Sequence, residues 1–159
     1  KYNDPRSLSS IVYGYIVSGQ EQKGLKLAED LKKGIFEEYD YYSKLSPNEQ
    51  RFIAKAMRTK PVEYSLVVAA VSDGYDKIGQ KNKGYNYLVK SLEPIDQRFN
   101  NFVKELKAMG KEKAYKESEN VQKITPFYTY LFDVMNPYDS TYAKEKEAQI
   151  TDAIMKAAQ

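Results

Sequence analysis

A ten-residue pattern occurs twice in this chain of 159 residues, and the two copies are sixty residues apart. The first copy, YIVSGQEQKG, begins at Tyr15, and the second, YDKIGQKNKG, begins at Tyr75. An internal repeat of this kind predicts that two segments of the chain share one local structure. The residues that coincide are Tyr15 with Tyr75, Gly19 with Gly79, Gln20 with Gln80, Lys23 with Lys83, and Gly24 with Gly84.

Each copy joins two segments in which apolar residues recur at the spacing of a helix. The stripe before the first copy includes Leu8, Ile11 and Val12, and its intervals of three and four residues are typical of an amphipathic helix with one buried face. A shift of sixty residues aligns Leu8 with Val68 and Ile11 with Val71. We therefore predict two similar helical hairpins, over residues of about 6–45 and about 62–109.

The two glycines of each copy have different predicted roles. Gly19 and Gly79 follow the last apolar turn of a helix, where the backbone often adopts a left-handed conformation that a side chain resists. Gly24 and Gly84 lie one turn inside the next helix, where a missing side chain allows two helices to approach closely. The tyrosine of each copy should fill the wedge between the two helices.

An additional helix is predicted between the hairpins, over residues 46–59. Ser46 and Pro47 have the residue types that favour an N-cap and the first helical position. Phe52 is expected on the buried face of this helix, and the helix should end before Pro61. No segment has the alternating pattern of a strand.

Further helices are predicted at the C-terminal end, over residues 111–159. Pro94 should cause a kink or break near Ser91, because it removes a backbone donor from the helix. The polar stretch Lys111 to Lys123 is interpreted as a short helix leading into a mobile loop. Pro126 should begin a short apolar helix that is more typical of a docking element than of a site, although its aromatic residues could form an exposed patch.

The composition excludes most kinds of catalytic site. Cysteine and histidine are both absent, which removes thiolate nucleophiles, disulfides, the commonest metal ligand and the usual general base. The 25 basic and 22 acidic residues are interspersed, whereas nucleic-acid binding favours a clustered basic face. We predict no catalytic residue, no metal site and no cofactor, and we expect that the isolated chain is not an enzyme.

The chain contains no apolar run of the length, about 18 residues, that is needed to cross a bilayer. We therefore expect no direct membrane insertion by this chain. It begins with Lys1 rather than methionine, which is consistent with a piece of a longer protein.

Tyrosine is abundant, with 15 copies and no tryptophan. A phenol combines apolar area with a polar tip, so tyrosines occur both in helix-packing cores and on surfaces that bind partners or sugars. Tyr13, Tyr41, Tyr85 and Tyr87 lie off or beside the predicted buried stripes, and they are candidates for lining a binding groove. The alternative is that they are half-buried rings at helix boundaries.

The two copies resemble the tetratricopeptide repeat, which has an aromatic residue four positions before a turn glycine and a small residue five positions after it. This chain departs from that pattern: glycine replaces the usual alanine, the closing proline is missing, and the spacing exceeds the usual repeat of about 34 residues. The resemblance implies an all-α, tetratricopeptide-like superhelix of about seven helices, forming a single helical domain over residues 1–159. Such arrays bind partners on the surface lined by the first helix of each pair.

A second resemblance involves the run GLKLAEDLKKGIFEEYDYYSKLS, which begins at Gly24. It is similar to the soluble C-terminal domain of a bacterial family of multi-spanning membrane proteins of uncharacterised function, related to C-type glycosyltransferases. The resemblance implies a non-catalytic accessory domain on the extracytoplasmic (periplasmic) side of the inner membrane. Such a domain would bind a protein or peptide segment, or position substrate for the membrane part of its own chain. The alternative is a small-ligand or carbohydrate-binding domain with a tyrosine-lined groove.

Overall fold

The computed structural model describes residues 4–109, 111–157 and 159, apart from the side chains of residues 47, 111–120 and 122. Every regular element in these residues is a helix, so the all-α prediction is confirmed. The helices are α1 (Pro5–Val17), α2 (Glu21–Ser43), α3 (Pro47–Lys77), α4 (Lys81–Lys90), α5 (Glu93–Met109), α6 (Lys111–Met135) and α7 (Ser140–Ala157).

Side-chain caps begin three of these helices. The Asp4 carboxylate accepts a hydrogen bond from the Arg6 N–H at 3.0 Å, before α1. The Ser46 hydroxyl accepts from the Glu49 N–H at 3.3 Å and donates to the Glu49 carboxylate at 2.7 Å. The Asp139 carboxylate accepts a hydrogen bond from the Tyr142 N–H at 3.0 Å, in the first turn of α7. Such caps satisfy backbone donors that have no partner within the helix, and the predicted N-cap at Ser46 is confirmed.

The chain divides into two compact units, unit 1 (Lys1–Leu88) and unit 2 (Val89–Gln159). The boundary falls near the end of α4. Just beyond it, Ser91 and Leu92 interrupt the helix and Pro94 occupies the first turn of α5, so the predicted break near Ser91 is confirmed. Because α4 and α5 are separated by only these two residues, they can also be counted as one interrupted helix. The single domain over residues 1–159 stays a prediction.

In unit 1, α2 lies antiparallel to both α1 and α3. The tight turn at Gly19 reverses the chain between α1 and α2. The Phe36 and Tyr64 ring centroids are 4.9 Å apart, and the Tyr75 hydroxyl donates to Glu21 at 2.6 Å, so α2 and α3 run in opposite directions. It follows that α1 runs parallel to the C-terminal half of α3.

The core of unit 1 is formed by apolar side chains from all four of its helices. Burying one such side chain fully contributes about 1.5–3 kcal/mol. The residues with the least exposure are Val12, Ile16, Ala28, Ile35, Tyr39, Tyr64, Val67, Val68, Val71 and Leu88.

The predicted helix end before Pro61 is wrong, because α3 continues through this proline to Lys77. Proline inside a helix removes one hydrogen bond, but the residues around Pro61 are buried against the rest of unit 1. Lys60 forms ion pairs with Glu38 of α2 and with Glu63 one turn further along α3. This tertiary packing holds the helix together across the proline.

The predicted mobile loop before Pro126 is also wrong. The helix that begins at Lys111 continues through Pro126 to Met135. Ile124 and Phe127, on either side of the proline, are fully buried, and their packing stabilises a helical backbone at a position where the local sequence favours a break.

Some of the predicted core residues are exposed. Ile11 is 46% exposed and Phe52 is 91% exposed. In α1, the buried face is formed by Pro5, Ser9, Val12 and Ile16; Ser9 can be buried because its hydroxyl donates to the carbonyl of Pro5. Helix α1 is about 20 Å long and α3 is about 46 Å long, so α1 cannot cover the whole of α3. One side of the N-terminal half of α3, where Phe52 lies, is therefore left uncovered in unit 1.

In unit 2, α5, α6 and α7 pack against one another. The Asp96 carboxylate on α5 connects all three helices, because it accepts a hydrogen bond from Tyr128 of α6 at 2.5 Å and pairs with Lys146 of α7 at 3.0 Å. Burial and the hydrogen bond to Asp96 raise the pKa of Tyr128. Within the described part of the chain, none of the helices combines the length and apolar character needed to cross a membrane.

Candidate binding surfaces

The turns of the two repeat copies have the same backbone structure. Gly19 and Gly79 have positive φ angles of 85° and 76°, which confirms their predicted left-handed conformation. In each turn, the N–H of the following glutamine donates to the carbonyl of the repeat tyrosine at 2.8 Å. This hydrogen bond from the second residue beyond the helix end is the Schellman motif.

The second glycine of each copy lies where two helices approach closely. A Cβ atom at Gly24 would lie 2.9 Å from the Cδ1 of Ile16, and one at Gly84 would lie 2.8 Å from the carbonyl oxygen of Ser72. Both distances are too short for a real side chain, so the predicted close approach is confirmed. The neighbour differs, since Gly24 faces a side chain and Gly84 faces a backbone.

A third glycine, which the sequence analysis did not identify, has the same role. A Cβ atom at Gly74 would lie 2.9 Å from the Cβ of Ile16. Ile16 is therefore enclosed between Gly24 of α2 and Gly74 of α3. The available signal was a glycine inside a helical pattern, which often marks a packing requirement.

The repeat tyrosines contact the neighbouring helix. Tyr75 is buried, and burial together with its hydrogen bond to Glu21 raises the pKa of its phenol. The same hydrogen bond, aided by Lys83 at 3.4 Å, lowers the pKa of Glu21. Tyr15 is half-buried beside Gly24. Both tyrosines thus lie at the α1–α2 and α3–α4 turns, as the repeat pattern predicts.

One candidate groove residue, Tyr87, takes part in a polar cluster inside unit 1. Its hydroxyl donates to the Glu29 carboxylate at 2.8 Å and accepts from the buried Lys32 ammonium at 3.2 Å. The Lys32 Nζ atom also lies 4.6 Å from the centroid of the Tyr87 ring, a favourable cation–π distance. Burial and the Glu29 charge raise the pKa of Tyr87. These contacts attach α4 to α2.

The other three candidate tyrosines occupy separate positions. Tyr13 on α1 and Tyr85 on α4 are half-buried, whereas Tyr41 near the end of α2 is 63% exposed and packs edge-on against Tyr42. Tyr41 lies about 18 Å along α2 from Glu29, which accepts the hydrogen bond from Tyr87. A groove lined by all four would have to extend over that length, and their binding role stays a prediction.

One candidate surface lies on the side of unit 1 that faces away from α2. The contact of Ile16 with Gly74 places α1 beside α3, and the helical positions of five residues put them on this outer side of the pair. We call this surface the α1–α3 face, and it consists of Tyr13 and Val17 of α1 and Leu66, Ala70 and Asp73 of α3.

The α1–α3 face combines apolar and acidic character. Tyr13, Val17 and Ala70 are half-buried, and Leu66 is 39% exposed. At one end, partial desolvation and the nearby Asp76 charge raise the pKa of Asp73. A partner with apolar side chains would complement this surface.

Unit 2 offers a second candidate, a cleft of about 430 Å³ between α6 and α7. It is lined by the segment after Pro126 that the sequence analysis interpreted as a docking element. The sequence carried no signal for the cleft, because the gap depends on how α6 and α7 pack against α5, which local periodicity does not report.

Among the residues that the structure describes, no cluster of acidic side chains is arranged to hold a metal ion. No protein-family model matches the chain, and neither a curated protein nor a solved structure is significantly similar to it.

Proposed function

We propose that unit 1 is a non-catalytic binding module that holds a protein or peptide segment on the α1–α3 face. The observation that carries the proposal is the enclosure of Ile16 between Gly24 and Gly74. It brings α1 and the second half of α3 together as parallel neighbours, with half-exposed apolar side chains on the side away from α2. Apolar positions of this kind, surrounded by polar residues, are typical of partner-binding surfaces.

The equivalent turns support a tetratricopeptide-like stacking of the two hairpins. In such an arrangement, α1 and the second half of α3 are the first helices of their pairs, and the first helices line the binding surface. The candidate Tyr13 then belongs to the binding surface, whereas Tyr87 has a packing role between the hairpins.

A protein segment is favoured over a carbohydrate for unit 1. The carbohydrate alternative depends on accessible phenol groups in a tyrosine-lined groove. The Tyr87 hydroxyl already bonds to Glu29 and Lys32, which leaves it poorly placed to recognise a sugar.

The resemblance to the tail of multi-spanning bacterial membrane proteins supports a wider setting for this module. We propose that it is an accessory domain of a larger membrane protein, on the extracytoplasmic side, and that its partner is a peptide segment or the membrane part of its own chain. The gene tests this setting: several apolar spans encoded upstream of Lys1 would support it, and a short free-standing reading frame would contradict it.

Site-specific photocrosslinking tests the binding face. The photoreactive residue p-benzoylphenylalanine replaces Tyr13 on the α1–α3 face or, as the control, the exposed Gln22 on α2. In cells that produce the full-length protein, we expect one defined adduct from position 13 and none from position 22. Adducts of equal yield at both positions, or none at position 13, would contradict the proposal.

A second variant tests whether the contact is apolar. Leu66→Glu places a charge at the end of the α1–α3 face opposite Asp73, and we expect it to lower the adduct yield from position 13 by about tenfold, since a loss of about 1.4 kcal/mol is tenfold in affinity. Its unfolding free energy should stay close to that of the parent, because Leu66 is partly exposed. An unchanged yield would show that the crosslinked partner does not bind across this face.

A further inference from the structure

The cleft in unit 2 is a gap between two helices that are connected by a short turn. Residues 136–139 link α6 to α7, and the cleft extends from this turn along both helices, as far as Thr125 on α6 and Ile154 on α7. Its volume of about 430 Å³ falls in the range of small-molecule sites, about 300–1,000 Å³.

The polar contacts of unit 2 explain why the gap stays open. Tyr128 of α6 and Lys146 of α7 both bond to Asp96 of α5 rather than to each other. Each of the two helices is thus attached to α5 on its inner side, and their outer sides are left apart. The cleft is therefore a consequence of how unit 2 is assembled.

The inner wall of the cleft is apolar. Phe132 on α6 stacks on the Tyr128 ring at 5.8 Å, and it faces Ile150 and Ile154 on α7 across the cleft. Phe132 and Ile150 are almost fully buried, and Ile154 is half-buried. This wall can bury the apolar body of a ligand, which contributes about 25 cal/mol for each Å² removed from water.

The rim of the cleft is polar and carries two carboxylates, together with the donor groups of Asn136 and Lys144. The hydroxyls of Thr129 and Thr151 donate to carbonyl oxygens of their own helices, at 3.3 and 3.0 Å, so their oxygen lone pairs are what they can offer to a ligand. The carboxylates of Asp133 on α6 and Glu147 on α7 lie on opposite rims, and an ionised carboxylate only accepts. Lys144 also lines the cleft, so the two carboxylates and this ammonium together carry a net charge of −1.

We propose that this cleft binds a small organic cation, an ammonium group attached to an apolar body about the size of one aromatic ring. An ammonium has three donors and no acceptor, which matches the two carboxylates of the rim, and its hydrogen bonds to them are charge-assisted. The proposal concerns unit 2 and does not depend on the function proposed for unit 1.

Titration of the full chain with three probes of equal shape tests the ligand class. The probes are phenethylamine, which is cationic at neutral pH, the neutral phenethyl alcohol and the anionic phenylpropionate. Calorimetry measures affinity, and amide chemical shifts locate the binding. We expect phenethylamine to bind between α6 and α7 at least about tenfold more tightly than the alcohol, with phenylpropionate weakest, because charge-assisted hydrogen bonds are roughly twice as strong as neutral ones.

Matched charge-removing variants test the residues. The double variant Asp133→Asn with Glu147→Gln should lose the preference for phenethylamine over the alcohol. Glu145→Gln removes the same kind of charge from an exposed position of α7 outside the cleft and should keep it. Both carboxylates of the double variant are exposed, so its fold should persist.

Three outcomes would overturn the proposal. Equal or tighter binding of the alcohol would make the cleft a site for neutral ligands. Chemical-shift changes outside α6 and α7, or an undiminished preference in the double variant, would place the amine elsewhere. Failure of all three probes to saturate would show that the cleft is only a gap in the packing.

Discussion

Two residues of unit 1 have a backbone conformation that side chains resist. Gly19 and Gly79 have positive φ angles, and a Cβ atom added to either would have no neighbour within 4 Å. Any cost of substitution at these sites therefore comes from the backbone itself and not from crowding. Gly14, in the middle of α1, has equally open surroundings but an ordinary helical backbone.

Substitution by alanine should separate these two situations. We expect Gly19→Ala and Gly79→Ala each to lower the free energy of unfolding by about 1–2 kcal/mol, the cost of a left-handed conformation for a residue with a Cβ. Gly14→Ala should raise it by about 0.5–1 kcal/mol, because alanine loses less chain entropy in a helix. Urea denaturation measures all three, and a loss of stability in Gly14→Ala equal to that of the turn variants would contradict the assignment.

At the scale of the helix, the approach of two elements is limited by what lies opposite each glycine. Gly84 faces the backbone of Ser72, which cannot move without displacing α3, whereas the atom nearest to Gly24 is the terminal Cδ1 methyl of Ile16, which can shift more easily than a backbone. The repeat pattern predicts a small residue at both sites, but it does not distinguish their tolerance.

Alanine at these two sites should therefore have unequal effects. Overpacking costs about 1–3 kcal/mol, and the better helix propensity of alanine offsets about 1 kcal/mol of it. We expect Gly84→Ala to destabilise by about 2 kcal/mol and Gly24→Ala to stay within about 1 kcal/mol of the parent. Chemical denaturation provides the values, and the reverse order would show that α3 and α4 do not approach as described.

The prolines in α3 and α6 show how packing can outweigh a local preference. Pro61 and Pro126 each favour a break, yet both helices continue through them. Burial alone would lower the pKa of Lys60, beside Pro61, but its hydrogen bond to Glu38 and the charge of Glu63 raise it overall. This buried, paired lysine attaches α3 to α2 at the proline.

Across the whole molecule, buried phenols and a paired lysine link stability to alkaline pH. The pKa values of Tyr75 and Tyr87 in unit 1 and of Tyr128 in unit 2 are all raised, in each case mainly by burial. In the unfolded chain these phenols ionise near pH 10. Below that pH both states are protonated, and above it the unfolded state loses protons first, so stability falls as pH rises. The raised pKa of Lys60 acts in the same direction.

We expect the free energy of unfolding to decline above about pH 10, by about 1.4 kcal/mol per pH unit for each such group. Tyr87→Phe should make this decline shallower by about that amount, although it lowers stability at neutral pH because Glu29 and Lys32 lose a partner. Tyr41→Phe removes a phenol that is 63% exposed and is the control. Denaturation at a series of pH values measures the profiles, and equal slopes in Tyr87→Phe and the parent would contradict the linkage.

Features that depend on a few neighbouring residues could be predicted from the sequence. The helical periodicity, the left-handed turns at Gly19 and Gly79, the N-cap at Ser46 and the break near Ser91 all follow from local backbone sterics and hydrogen bonding. They occur at the positions that the local pattern predicts. Of the candidate site, the sequence indicated tyrosines near helix boundaries, but it did not indicate which phenols are used inside the fold.

By itself, the sequence determined an all-helical chain with two equivalent turns, because backbone conformation is decided within a few residues. Only the tertiary structure decided that Ile11 and Phe52 are exposed, that Ile16 is enclosed between two glycines, and that a cleft opens between α6 and α7. These features depend on which helices become neighbours and how far each one extends. That information lies in contacts between residues distant in the chain, which periodicity cannot report.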